Sequence, residues 1–258
     1  ILRLLHPKTQ SFINNRCITR KRTERKCTTT NSTKTTSMEE INIPVSPIDY
    51  RNKVCLAPMV RVCTLPIRRL ARAYGADIVY SQELVARKLA TCFKRVNTEM
   101  GTVDFLTKKN NGAEELVYRR SPNDTNSVLQ IGAADGEWAL KAANAIFPYF
   151  DAIDVNMGCP KGFSVKNGMG VTLLQDRERV KEVLTTLVRN VPRPVTCKIR
   201  LLENMSDTID LIKTIEQTGV QAIGVHARYI PQRSTSKAHL HLLPQLQAAV
   251  SVPLIANG

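Results

Sequence analysis

At 258 residues, 43% of them hydrophobic, the chain is long enough for one large domain with a substantial core. Its formal net charge of +15 makes a polyanion a reasonable partner, and no apolar run approaches the roughly 18–20 residues of a membrane span, so a soluble protein with no membrane partner is expected. Seven scattered cysteines with no CxxC pair, and no histidine at metal-ligand spacing, argue against a disulfide framework and a structural zinc and favour reduced thiols in an intracellular, cytoplasmic setting.

The first 37 residues carry nine Lys/Arg against Glu24 alone and show no sustained apolar period, so no packed structure is expected there. Their composition resembles a mitochondrial transit peptide, which would give a mitochondrial address. The duller and preferred reading is mis-assigned sequence upstream of Met38, the first methionine. From residue 41 onward, short apolar runs alternate with longer amphipathic ones, the pattern of βα units.

In chain order, a first strand at Val54–Ala57 leads to a helix over Leu65–Tyr74, closed by Gly75. A second strand at Asp77–Tyr80 is followed by a helix-like segment from Glu83 to about Arg95. Val103–Leu106 and Leu116–Arg119 read as a hairpin inserted on the upper face of the barrel. A third strand, Val128–Ile131, precedes a helix over Glu137–Phe147, and a fourth, Ile153–Asn156, breaks into a loop with two lysines and paired glycines before a helix at about Asp176–Arg189. Val195–Ile199, Ala222–His226 and Pro253–Asn257 complete seven strands, with helices over Asp207–Thr218 and Leu240–Val250 between them. Seven such strands point to a (β/α)8 TIM barrel, incomplete after the seventh strand. A doubly wound open sheet is the alternative, but the GxGxxG turn that would mark it is missing after the first strand, where Pro58-Met59-Val60-Arg61 stands instead.

A barrel gathers the C-terminal ends of its strands at one place, and here those ends read Pro58 to Arg61, Gln82-Glu83, Gln130, Asn156, Lys198 with Arg200, His226 with Arg228, and Asn257-Gly258. Buried strands ending together in polar residues suggest a planar, phosphorylated cofactor. Gln130 can face a heterocycle edge, Lys198 can hold negative charge on a ring, and Asn257-Gly258 stands where barrels bind phosphate. Taken singly, His226 is equally a structural histidine and Lys198 can reach solvent.

The motifs APMVRV (Ala57–Val62), YGADIVY (Tyr74–Tyr80), DVNMGCPK (Asp154–Lys161), NGMG (Asn167–Gly170), PVTCKIR (Pro194–Arg200), VHAR (Val225–Arg228) and IANG (Ile255–Gly258) resemble the tRNA-dihydrouridine synthases, most of all the eukaryotic type 2 enzymes, over about residues 50–258. The resemblance implies a flavoprotein oxidoreductase that uses FMN, with NADPH as reductant, to convert uridine in tRNA to 5,6-dihydrouridine, and no metal. It implies flavin contacts at Met59, Val60, Arg61, Glu83, Gln130, Lys198, His226, Asn257 and Gly258, with Asn156 and Lys161 at the substrate base and Arg228 as a further RNA contact. It also implies a cysteine proton donor just after the inserted hairpin, a position that Ser121 fills here, so that turnover is expected to be impaired. Cys159 is not given that role. Two other readings stay open: a small-molecule FMN barrel oxidoreductase, similar to dihydroorotate dehydrogenase, and a catalytically silent tRNA-binding barrel.

Overall fold

The computed structural model describes residues 48–258; the basic leader and the domain boundary at residue 41 lie outside the described residues. Seven parallel strands hydrogen-bond side by side in the order in which they form the barrel. They are β1 (Cys55–Leu56), β2 (Ile78–Tyr80), β7 (Ser127–Gly132), β8 (Ala152–Asn156), β9 (Val195–Leu201), β10 (Ala222–Tyr229) and β11 (Leu254–Asn257). The two-residue β3 (Leu84–Val85) also pairs with β7. With β1 and β11 at its two edges, the sheet is an incomplete (β/α)8 barrel.

The crossover helices start and stop where the sequence has local reasons to do so. Helix α1 (Leu65–Ala73) carries Pro66 in its first turn and ends before Gly75, whose φ of 94° supplies the left-handed turn. In α3 (Gly136–Ile146) and α5 (Arg177–Asn190), the Asp135 and Asp176 carboxylates accept from the backbone N–H of Trp138 and Arg179, at 2.8 and 3.1 Å. Helices α6 (Met205–Glu216) and α7 (Leu243–Ala248) complete the outer layer. Their apolar faces cover the sheet in one continuous core that includes Leu129, Ile131, Ile153, Val155, Ile199, Leu184, Leu211 and Ile215. Inside the curve of the sheet, a smaller apolar layer of Ile78, Val128, Ala152 and Ala222 lies where the strands begin, and Tyr50 packs into it.

The segment after β2 departs from expectation. The helix read over Glu83–Arg95 is a single turn, α2 (Ala86–Leu89), and its second half is β4 (Phe93–Asn97). β4 pairs antiparallel with β5 (Thr102–Lys108), and β5 with β6 (Glu114–Arg120), so the expected hairpin is the greater part of a three-stranded sheet. Nor is it an upper-face extension. Val103, Phe105, Val117 and Tyr118 enter the same core as Leu89, Ala142 and Ile146, and Phe105 meets Tyr149 edge-on at 5.3 Å between ring centroids. The small sheet thus covers the apolar flank that one helical turn leaves bare. An alternating strand pattern mixed with basic residues in KRVN is hard to tell from a helix by periodicity.

Candidate active site

Strand alternation puts Asp154 and Asn156 on one face of β8, and Thr196 and Lys198 on one face of β9, inside the barrel. They meet a cavity of about 360 Å³ whose wall includes Tyr80, Asp154, Lys198, Gly224 and Asn257. Gly224 is needed there: a Cβ on it would lie 3.1 Å from Lys198 Cγ, so the missing side chain leaves the lysine its space. The Lys198 ammonium has no hydrogen-bond acceptor among the described residues, and burial, partly offset by the Asp154 charge, lowers its pKa to about 8.

Asp154 is wholly buried and accepts two hydrogen bonds, from Thr196 Oγ1 at 2.7 Å and from Gln130 Nε2 at 2.7 Å. Burial outweighs both and raises its pKa to about 6. Gln130 Oε1 in turn accepts from Asn156 Nδ2 at 3.2 Å, and Asn156 Oδ1 accepts the backbone N–H groups of Gly158 and Cys159 at 3.0 and 2.9 Å. Gln130 is also held through its backbone, its N–H donating to Ser81 Oγ at 2.9 Å.

The loop after β8 is packed from several sides. Arg200 Nε donates to Gly158 O at 3.0 Å while its Nη1 donates to Tyr229 O and Gln232 O beyond β10. At Gly170, φ is 62° and an added Cβ would collide with the Cys159 carbonyl oxygen, so only glycine lets the two turns touch. Half-buried Cys159 lies among Glu83, Ser164, Lys198 and Arg200, and burial pushes its thiol above the ordinary range. Glu83 accepts from Ser164 Oγ at 3.2 Å, its Oε2 has no partner, and burial raises its pKa as well.

Ser121 does not belong to this group. It follows β6 in the turn leading into β7, where its carbonyl accepts from Asp124 N at 3.0 Å and its neighbour Arg120 reaches Asp151, just before β8, at 2.9 Å. That is the end where the strands begin, whereas Gln130, Asn156 and Lys198 lie toward the end where they finish. In this structure Ser121 therefore stands apart from Gln130, Asn156 and Lys198. Cys159, which the sequence reading set aside, lies three positions beyond Asn156, and its backbone N–H is bound by the Asn156 side chain. Asp154 was missed, although a two-residue step back from Asn156 along a strand would have found it.

The remaining expected residues divide. Asn257 lines the cavity, and Gly258 packs near Ala238 and Leu240. Met59 O accepts from Cys63 N at 3.0 Å in a turn where exposed Arg61 takes φ 64° and its N–H donates to Gln82 Oε1 at 2.8 Å; Val60 is exposed. Burial first, then the charges of Lys198, Arg200 and Arg228, lower the His226 pKa to about 4, so the ring is neutral. Its Nε2 lies 2.9 Å from Arg228 Nη1, which can only donate, so Nε2 accepts and the proton sits on Nδ1. Arg228 is further occupied by Ser236 O at 2.7 Å, which leaves less of it for RNA than its sequence position implied. Lys161, at the start of the short helix α4 (Gly162–Lys166), is exposed at the rim. Among the described residues no group of three or more His, Cys, Asp or Glu could hold a metal ion, and no helix is long and apolar enough to cross a membrane.

Comparison with known proteins places the chain among relatives. The family model described as dihydrouridine synthase matches residues 55–258. The chain is 39% identical over 222 residues, 82% of its length, to the NAD(P)+ tRNA-dihydrouridine(20) synthase of Schizosaccharomyces pombe, and covers 46% of that protein. It is 37% identical over 222 residues to the enzyme of the same name from Saccharomyces cerevisiae, covering 58% of it. A human tRNA-dihydrouridine(20a/20b) synthase-like protein is 32% identical over 209 residues. The chain thus spans about half the length of the first two relatives. By the extent of the family match and the order of its strands, it belongs to the dihydrouridine synthase family.

Proposed function

We propose that this barrel reduces uridine in tRNA to 5,6-dihydrouridine, using FMN as its resident cofactor and a reduced nicotinamide, NADPH, as reductant. The observation that carries the reading is the nearness, on neighbouring strands, of a cavity-lining lysine, an oriented amide pair and a thiol that burial keeps protonated. Each corresponds to a need of that chemistry.

The residues fit a flavin. The cavity falls in the size range of small-molecule sites, roughly 300–1,000 Å³, and the Lys198 ammonium in its wall, near the Asp154 charge, makes no hydrogen bond among the described residues. Lys198 would face the electron-rich ring, Gln130 would bond its edge, and Asn257 with Gly258 stands at the strand end where barrels hold phosphate. Bound there, FMN supplies hydride chemistry. The chain's own part is to bind, orient and protonate. Lys198 below its pKa keeps a fixed positive charge. The Asn156 side chain ties the Cys159 loop down. The Cys159 thiol, held protonated by burial, would give its proton to the uracil carbon that needs one. A thiol in the site removes the motive for a silent RNA-binding barrel. All five cysteines of the described residues are free, in keeping with a reducing, cytoplasmic setting.

Purified protein supplied with FMN should stay yellow through gel filtration, lose the colour with NADPH, and form dihydrouridine in unmodified tRNA. A colourless protein, or reoxidation only by a small quinone or enone, overturns the proposal.

A further inference from the structure

We propose that Asp154 is a positioning residue: as an acceptor-only anchor it sets the donor-to-acceptor direction of the Gln130 and Asn156 amides, and through them the loop that presents Cys159. The hydrogen bonds form one directed chain. Backbone N–H groups of Gly158 and Cys159 donate to Asn156 Oδ1, Asn156 Nδ2 donates to Gln130 Oε1, and Gln130 Nε2 donates to Asp154 Oδ2.

A primary amide can turn over and exchange its donor and acceptor ends, so neither side chain sets its own direction. The ends of the chain do. A carboxylate only accepts, so Gln130 must turn its NH₂ toward Asp154 and its oxygen away. Backbone N–H groups only donate, so Asn156 must turn its oxygen toward the loop and its NH₂ toward Gln130. The two requirements agree in the middle, and each amide is left with one orientation. Thr196 Oγ1, at 2.7 Å on the other Asp154 oxygen, completes the anchor, so that both oxygens of the buried carboxylate are engaged by protein donors.

That this matters for chemistry rests on the reading of Cys159 as proton donor; the directed chain itself does not. Its test is backbone hydrogen exchange at Gly158 and Cys159 in the 258-residue chain without flavin or tRNA. Asp154→Ala removes the anchor, and Gln130→Met cuts the middle link while leaving Asp154 with Thr196. Both should speed exchange at those two amides by about tenfold, the worth of one buried hydrogen bond, with β7 and β9 unchanged. Asp154→Asn, which keeps an oxygen for Gln130 and offers an N–H to Thr196, should stay within about threefold of the parent.

Unchanged exchange in Gln130→Met overturns the proposal. So does an Asp154→Asn variant as disturbed as Asp154→Ala, or an equal rise throughout β7 to β9. If Asp154→Ala fails to fold, Gln130→Met decides alone. On tRNA, Asp154→Ala should lower kcat without raising KM, with Asp154→Asn restoring it; loosened amides with undiminished kcat would overturn the catalytic role while leaving the uridine-reducing activity standing.

Discussion

Each end of the barrel holds a cluster of buried charge, and the two are built on opposite principles. Where the strands begin, Arg68 meets Asp124 at 2.6 Å and Arg120 meets Asp151 at 2.9 Å, all four side chains almost fully buried and their charges cancelling. Arg68 spends its other nitrogens on Cys63 O and Arg119 O, and its guanidinium lies 5.0 Å from the Tyr118 ring centroid. Where the strands end, Lys198 has no acceptor, a Glu83 oxygen has no donor, and positive charge from Arg200 and Arg228 crowds a neutral His226. The first cluster balances two guanidinium groups against two carboxylates, although Arg120 Nε and Nη1 make no hydrogen bond, and it ties α1 and the small sheet to the barrel. The second carries an excess of positive charge beside a cavity, and unbalanced charge of that kind marks a place for a ligand.

The largest effect expected from this contrast is on stability. Arg68→Ala leaves the buried Asp124 carboxylate with only the longer 3.7 Å pairing to Arg120 and should cost about 3–5 kcal/mol in denaturant unfolding, with flavin affinity per folded molecule unaltered; a loss under about 1 kcal/mol would show that the pair is not an anchor. At the open end the converse holds. Cys159→Ala should cut dihydrouridine formation by about 10²-fold or more while unfolding stays near the parent's, and Ser121→Ala should leave turnover within about threefold. Reversal of those two results would restore the donor to the far face.

Gly170→Ala, with its positive φ and its blocked approach to Cys159, should cost about 1–3 kcal/mol of stability and slow turnover as well. The smallest effects are those of pH. Because burial lowers the Lys198 pKa to about 8, an anionic or electron-rich ligand should bind fully below that value and lose affinity as pH rises through it, measured by flavin fluorescence quenching. Asp154 acts in the same direction at lower pH: its pKa is raised from 3.8 to about 6, so its contribution to stability is full below 3.8 and is lost as pH rises through about 6. Asp154→Asn should flatten that part of the stability profile.

Most of the barrel was legible because its signals are local. Val/Ile-rich runs such as Val195–Ile199 bounded by Pro194 and later polar residues specify strands, and Gly75 and Gly219 stop helices where φ must be positive. The helix expected from Glu83 to about Arg95 is not formed because the fate of its second half depends on a partner strand about ten residues on, which periodicity within the segment does not contain. The site shows the same division. Lys198, Gln130 and Asn156 stand at strand ends and could be named from position alone. Whether Ser121 or Cys159 faces them depends on which way β6 runs along the barrel wall, and no count of residues supplies that. Arg228 was recognisable as a strand-end cation, but its engagement with Ser236 O and His226 comes from a loop folded back over it.

One guanidinium ends up governing two loops. Arg200 grips the Gly158 carbonyl on one side and the Tyr229 and Gln232 carbonyls on the other, so the strap carrying the thiol and the strap beyond β10 share a single rivet. A molecule pressing on either must shift both or neither. The mouth of the barrel is therefore tied into one rim, and a ligand that displaced the thiol loop would also strain the strap beyond β10.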